Sequence, residues 1–483
     1  MPYVPYNHTT DPTAFLVLDD RSTFTVSGSQ LVEWANVSAS GLAYNAVASF
    51  GTGVTLGTDT NGYKYLEFNG ASGLKIPSSS GFDAEFANTG NAGGKTILVV
   101  FDLPSNVGGS GDCFLCNKGS SAGVVTTHSG TDNLAWFTYG PLPQLQRNGA
   151  AQSWRPCPGG VGSFAITTVT GSTGAGQLDG YRDGQRLYRD GAPSNAQYGT
   201  MNPADGAGYD LSIGSRGDAV YALTGKIRAV VVWNREPLHH EILATHRYYA
   251  NRYGFPETLT NQPYSLICDS NSESTVMQGF GGAGSGFNGE IGIFDRVANS
   301  LGVGLDANFM LGLASRTTSN MIFDFSTYVA PLIAYLQYLG VPPIVIQWEG
   351  INDGFVAAHV TTYAELVIAT GAKFITGTSM AKDGIGHSGP TDGTVISTYN
   401  VAVLEVASGQ YPVAGLGYDA TLSTMATVST FDAAYLSDGV HLLTTAIVLA
   451  VPYFVTAVTA SLSLTAPTFK VFFMSGGLCG GMV

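Results

Sequence analysis

The chain is poor in charge. Only 12% of its 483 residues are Asp, Glu, Lys or Arg, and 21 Lys and Arg stand against 35 Asp and Glu. It contains no basic run to neutralise phosphates, and the net charge of −14 repels them, which argues against nucleic acid and against anionic membranes as partners. Cysteine is scarce as well. Five is too few, and odd, for a disulfide framework. Cys113 and Cys116 form a C-x-x-C, and zinc would need His128 and Cys157 as well. Neither of those lies in a second close pair, so packing is the preferred reading, with no metal and no cofactor expected. Cys268 reads as a buried core thiol. The opening MPYVPYNHTTDPTAF lacks both the basic region and the apolar segment of a secretory leader. The one long charge-free run is 442-LLTTAIVLAVPYFVTAVTASLSL-464, long enough to span a bilayer. Pro452 and its Ser and Thr residues fit a packed core helix better, so no membrane span is expected.

Glycine is plentiful, 63 residues, and hydrophobic residues make up 44% of the chain. High Gly, Ser and Thr with little charge is the composition of extracellular or virion β-rich proteins. The length suits two to four domains. Residues 1–255 carry short alternating runs such as 64-KYLEFNG-70, 96-TILVVFDL-103 and 227-IRAVVVWN-234, separated by Gly, Asn, Asp and Ser, which predicts an antiparallel β-sandwich. Residues 256–263, with two Pro, read as a linker. From 264 to 462 apolar strand-like runs (264-YSLIC-268, 343-PIVIQW-348, 372-AKFITGT-378) alternate with helical stretches. That alternation predicts an α/β/α three-layer domain on a parallel sheet. Residues 463–483 form an apolar, Gly-rich tail, read as disordered or as an assembly element that docks on a partner, with virion proteins and a homo-oligomer as the candidate partners of the chain.

Three segments carry candidate chemistry. In 265-SLICDSNS-272 an apolar strand runs into Asp-Ser; in 344-IVIQWEGINDG-354 another runs into Gly-x-Asn-Asp; and 435-YLSDGVHLL-443 sets Asp438 and His441 three residues apart before an apolar stretch. A serine hydroxyl attacks only when a base takes its proton, and the base needs a carboxylate to hold its ring. Taken singly, each has a plainer reading. Ser270 and Asp438 suit helix caps, Asn352-Asp353 suits a turn, and Asp269, Asp306 and Asp353 read as structural or turn residues. Their order within one α/β segment favours the catalytic reading.

Together these segments resemble the SGNH (GDSL-type) hydrolases over about residues 264–462. Ser270 matches the nucleophile of block I, Gly304 in 299-NSLGVGLDA-307 the glycine of block II, Gly350 and Asn352 block III, and Asp438 and His441 block V. The chain departs from the family pattern at Cys268, where the family has Gly, at Asn271, where Leu or Ile is common, and in the glycine-rich 279-GFGGAGSGFNGEIG-292. The resemblance implies Ser270 as nucleophile, His441 as base and Asp438 as its support. It also implies an oxyanion hole from the amides of Ser270 and Gly304 and the side chain of Asn352. His387, in a glycine-flanked loop, is the reserve base.

The first half resembles concanavalin A-like (laminin-G-like) jelly rolls through Asp183-Gly184, Ile213-Gly214, 225-GKIRAVVVWN-234 and 238-LHHEILATHRYYANRYG-254, in that order. The two resemblances imply a serine esterase removing acyl groups, O-acetyl from a polysaccharide above all by analogy with its lectin-like neighbour, with lipase, thioesterase and peptidase activities left open. The competing reading is a non-catalytic adhesin or structural protein of a phage tail or capsid fibre, with a decayed hydrolase domain. Both fit a protein that works outside the cell or on a virion after a cytoplasmic stage.

Overall fold

The computed structural model describes residues 3–51, 53–87, 96–103, 113–118, 134–139, 142–147, 150–154, 160–170, 176–187, 189–190, 210–215, 222–256, 259–270, 293–304, 307–311, 317–348, 353–378, 399–405, 411–414, 426–427, 430–431 and 444–464.

Through residue 233 the described strands pair antiparallel and join in one sheet that curls over itself. Its spine is Thr224–Trp233. This strand pairs with Thr96–Leu103 along one edge, and with Ala14–Leu18 and then Lys64–Asn69 along the other. From Ala229 to Trp233 it is apolar on both faces because both are covered. Val230 and Val232 enter a cluster with Phe15, Trp34 and Phe68, while Ala229, Val231 and Trp233 enter a second cluster on the opposite face. Helix α1 (His239–Tyr253) supplies the cover for that second cluster with Ile242, Tyr249, Ala250 and Tyr253. The helix stops at Gly254, whose φ of 71° is the left-handed geometry that ends helices without a Cβ penalty. The Asp183-Gly184 hairpin is glycine-bearing for a packing reason. A Cβ on Gly184 would sit 3.0 Å from the Leu243 Cα, so only glycine lets the turn approach α1.

The second part is built on five parallel strands: β1 (Ser265–Ser270), β2 (Asn308–Met310), β3 (Pro343–Trp348), β4 (Lys373–Gly377) and β5 (Val413–Ala414). Their spatial order is β2-β1-β3-β4-β5. Helices α2 (Ile293–Ser300) and α6 (Thr444–Ser463) pack together, with Phe294 and Phe454 5.3 Å apart and both rings against Trp348. On the other face lie α3 (Thr318–Asp324), a π turn (Phe325–Val329), α4 (Ala330–Tyr338) and α5 (Ala357–Ala369), with Phe325 against Tyr363 and Tyr363 against Phe374. Trp348 meets the first layer, and its strand neighbour Gln347 bonds Thr318 of the second. Alternation along β3 therefore separates the layers, and all six residues of β3 are buried. The α/β/α expectation is met in this coarse form.

The two parts share a core. Leu243 and Ala244 of α1 pack with Leu259, Tyr264 and the buried residues of the parallel sheet. The ring of His239 stands on Phe309 at 5.5 Å, and Tyr3 packs on Tyr335 and Tyr338. The stretch expected as a linker is docked through Leu259, buried in the 3-10 turn Leu259–Asn261. No helix among the described residues is long and apolar enough to cross a membrane. Helix α6 instead buries Ala450, Val451, Phe454, Ala457 and Val458 in the shared core.

Candidate functional site

The site is organised by where β1 ends. Ser270 is the last residue of β1, and its ladder partner is Trp348, the last residue of β3. After β1 the chain moves to one side to form β2 and then to the other to form β3. The carboxyl ends of β1 and β3 thus flank the point where strand order reverses, the place where open α/β sheets hold their ligands. Gly350 and Asn352 follow Trp348 within four residues and lie outside the described residues. Asp438, His441 and the reserve His387 also lie outside them.

Two buried polar links fix this edge. The Asp269 carboxylate, fully buried, accepts a 2.7 Å hydrogen bond from the Tyr363 hydroxyl of α5. Gln347, also fully buried, donates through Nε2 to Thr318 Oγ1 at 3.0 Å and accepts from Thr376 Oγ1 at 2.6 Å, joining α3, β3 and β4. Burying such groups is tolerable because they are paired. Cys268, where the resembled family has Gly, is a buried free thiol 3.5 Å from Asn308 Oδ1.

Gly304 is not brought to Ser270. Its amide donates to Gln262 Oε1 at 3.1 Å, and both residues precede their strands, at the amino edge of the sheet. From Leu266, level with Asn308, to Ser270 is already about 13 Å at 3.3 Å per residue. A glycine can serve an oxyanion at Ser270 only from the carboxyl edge. Strand β2 reaches that edge at Leu311, whose amide donates to the Cys268 carbonyl at 2.9 Å, and Gly312 is the next residue. Gly312 lies outside the described residues. The sequence signal for it was the apolar run 308-NFML-311 ending on glycine.

Asp353, expected as a turn residue, forms a pair with a histidine on the same edge. His359, in the first turn of α5, has its Nδ1 2.6 Å from Asp353 Oδ2. The intervening backbone turns through two left-handed residues, Gly354 (φ 67°) and Phe355 (φ 61°), the second held by burial against Tyr399. A non-glycine residue in this region costs roughly 1–2 kcal/mol, so packing enforces the turn.

The antiparallel part holds a decoy. Ser163 Oγ lies 2.9 Å from His246 Nδ1, and Asp183 Oδ1 lies 3.9 Å from the same nitrogen while accepting the Ser163 amide at 2.8 Å. A catalytic triad uses both ring nitrogens, one for the nucleophile and one for the acid. Here serine and aspartate crowd one nitrogen, and Ser163 and His246 are buried. The trio ties the Asp183-Gly184 hairpin to α1. Cys113 and Cys116 fall on the strand Cys113–Lys118, while His128 and Cys157 lie outside the described residues. Among the described residues no group of three or more His, Cys, Asp or Glu could hold a metal ion.

No protein-family model matches the chain, and no curated protein does. Solved structures with partial likeness include a Trypanosoma rangeli sialidase in complex with the inhibitor DANA, at 16% identity and a TM-score of 0.30, over 48% of this chain and 32% of that one. A "putative acylhydrolase" from Bacteroides fragilis shares 16% identity at a TM-score of 0.30, over 45% of this chain and 94% of that one. Domain 4 of a GH43 extracellular arabinanase from Geobacillus stearothermophilus, in complex with arabinotriose, shares 11% identity at a TM-score of 0.28, over 42% of this chain and 87% of that one. The chain spans about a third of the sialidase it matches. Similarity this low carries no argument about function, which rests on the site itself.

Proposed function

We propose that the chain is a serine hydrolase of carboxylic esters of the SGNH type, acting on acylated carbohydrate, with Ser270 as nucleophile, His441 as base and Asp438 as the carboxylate that orients it. The observation that carries the reading is the register of β1: Ser270 ends the strand at the switch point, opposite Trp348, whose ring lies against α6. His441 stands three residues before α6 begins at Thr444. The helix runs antiparallel to the strands, since Lys373 at the start of β4 donates to the Ser461 carbonyl near the helix end. Its amino end is therefore on the Ser270 side. In this reading His441 takes the Ser270 proton as the hydroxyl attacks the ester carbonyl, then returns it to the departing alcohol, while Asp438 stabilises the imidazolium. The oxyanion is met by the amides of Ser270 and Gly312 and by the Asn352 side chain, Gly312 taking the post expected of Gly304. The curled antiparallel part, read as a jelly roll, holds the glycan.

The test is release of p-nitrophenol from p-nitrophenyl acetate, followed by acetate release from acetylated polysaccharides. Turnover that Ser270→Ala abolishes supports the reading. Turnover that survives it overturns Ser270 as the nucleophile, and absence of turnover from every ester tried overturns the enzyme in favour of an adhesin.

A further inference from the structure

We infer that the Asp353–His359 pair is a recognition element of the Ser270 site, with His359 Nε2 accepting a hydrogen bond from a free hydroxyl on the alcohol part of the ester. The inference rests on the reading above for what Ser270 does, and on geometry for where His359 lies. Tyr363 reaches Asp269, the residue before Ser270, from α5. His359 is four residues earlier on the same helix and so shares the stripe of Tyr363. Helix α5 returns from the carboxyl end of β3, so four residues back means about 6 Å further toward the carboxyl edge, nearly two strand residues past Asp269, which puts His359 at the rim beyond Ser270, on the α5 face of the sheet.

The pair is also built to present one nitrogen. Asp353 is nearly buried, its side chain 6% exposed, and it engages Nδ1 at 2.6 Å, which holds the ring plane and the tautomer. With Nδ1–H given to the carboxylate, Nε2 of the neutral ring is an acceptor, and the side chain is 37% exposed. Among the described residues Nε2 has no hydrogen-bond partner. The strained turn at Gly354 and Phe355 is what lets Asp353 fold back onto the helix that follows it. An acceptor held this firmly suits a hydroxyl-bearing alcohol, and it gains nothing from an alcohol without free hydroxyls.

Glycerol monoacetate and glycerol triacetate share an alcohol and an acyl group and differ in free hydroxyls. His359→Phe in the full chain lowers the ratio of kcat/KM for monoacetate over triacetate roughly tenfold, the scale of one lost hydrogen bond. His359→Gln keeps an acceptor and retains most of the ratio. Asp353→Asn falls between them, and His359→Gln, at a half-exposed site, guards against misfolding as the cause. An unchanged ratio in an active His359→Phe protein overturns the inference. A second measurement needs no turnover: glycerol monoacetate titrated into the Ser270→Ala chain and followed by ligand NMR. If wild type hydrolyses none of the esters tried, these two included, but this binding weakens about tenfold with His359→Phe, the recognition role stands and the hydrolase reading falls. Binding indifferent to His359 overturns the role.

Discussion

Ser270 and His441 act as one unit in the proposed chemistry, so removing either nearly abolishes turnover and removing both costs little more. Asn352 acts only once the oxyanion forms. Asn352→Ala should lower kcat by roughly 10²- to 10³-fold with little change in KM, whereas His387→Ala should leave the rate within a few-fold. Loss of activity in His387→Ala with retention in His441→Ala would show the base misassigned. Gly304 gives a sharper contrast. As an oxyanion donor its replacement by Ala would disturb kcat by a similar factor, but its amide is spent on Gln262 at the far edge of the sheet. Steady-state kinetics of Gly304→Ala should therefore show less than a two-fold change, and a large fall in kcat would restore the family assignment.

Elements are joined here by buried polar groups, and one of these should titrate. His8 bonds the Tyr249 hydroxyl at 3.0 Å, and that hydroxyl donates to Asp19, itself gripped by Arg21. Burial, helped by the Arg21 charge, pushes the imidazole down from 6.5 to about 3. Below pH 6.5 the unfolded chain binds a proton that the folded His8 refuses. The His8 contribution is thus intact above pH 6.5 and is lost as pH falls toward 3, at about 1.4 kcal/mol per unit where the difference is full. Urea unfolding between pH 6.5 and 4.5 should show a shallower acid loss in His8→Phe than in wild type; equal slopes would mean that His8 is not buried neutral. On the other side of the molecule, Phe454 joins α6 to Phe294 and Trp348. Phe454→Ala should cost roughly 3–5 kcal/mol by chemical denaturation, because the surrounding rings close the cavity only in part.

At the scale of the whole molecule, the two parts are less separable than their sequence boundary implies. Helix α1 closes the outer face of the antiparallel sheet and lends Leu243 and Ala244 to the other core. A chain ending at Pro256 should keep a cooperative, β-rich transition, since Phe68 and Trp233 are buried without help from the second part. It should also self-associate through the uncovered side of α1, and Leu243→Gln should restore a monomer on size exclusion. A helical or molten product would instead refute the boundary near residue 255.

The sequence by itself determined the classes of the two parts. Period-two runs between turn residues belong to an antiparallel sheet, while unbroken apolar runs such as 343-PIVIQW-348 belong to strands covered on both faces, and each pattern is a local property of the chain. It also marked Ser270, because an apolar strand that ends on Asp-Ser needs no distant residue to be noticed. Only the tertiary structure decided which edge Gly304 occupies. Gly304 and Gly312 are eight positions apart on either side of β2, and motif spacing does not say which end of a parallel strand faces the site. The same holds for Asp353 and His359, which look like a turn residue and a surface histidine until a left-handed Phe355 folds one onto the other. It holds for the supposed linker too, since whether Leu259 is exposed depends on a core assembled from residues far along the chain. Side-chain periodicity is written in neighbouring residues, but the contacts that choose an edge, a partner or an interface join residues that only folding brings together.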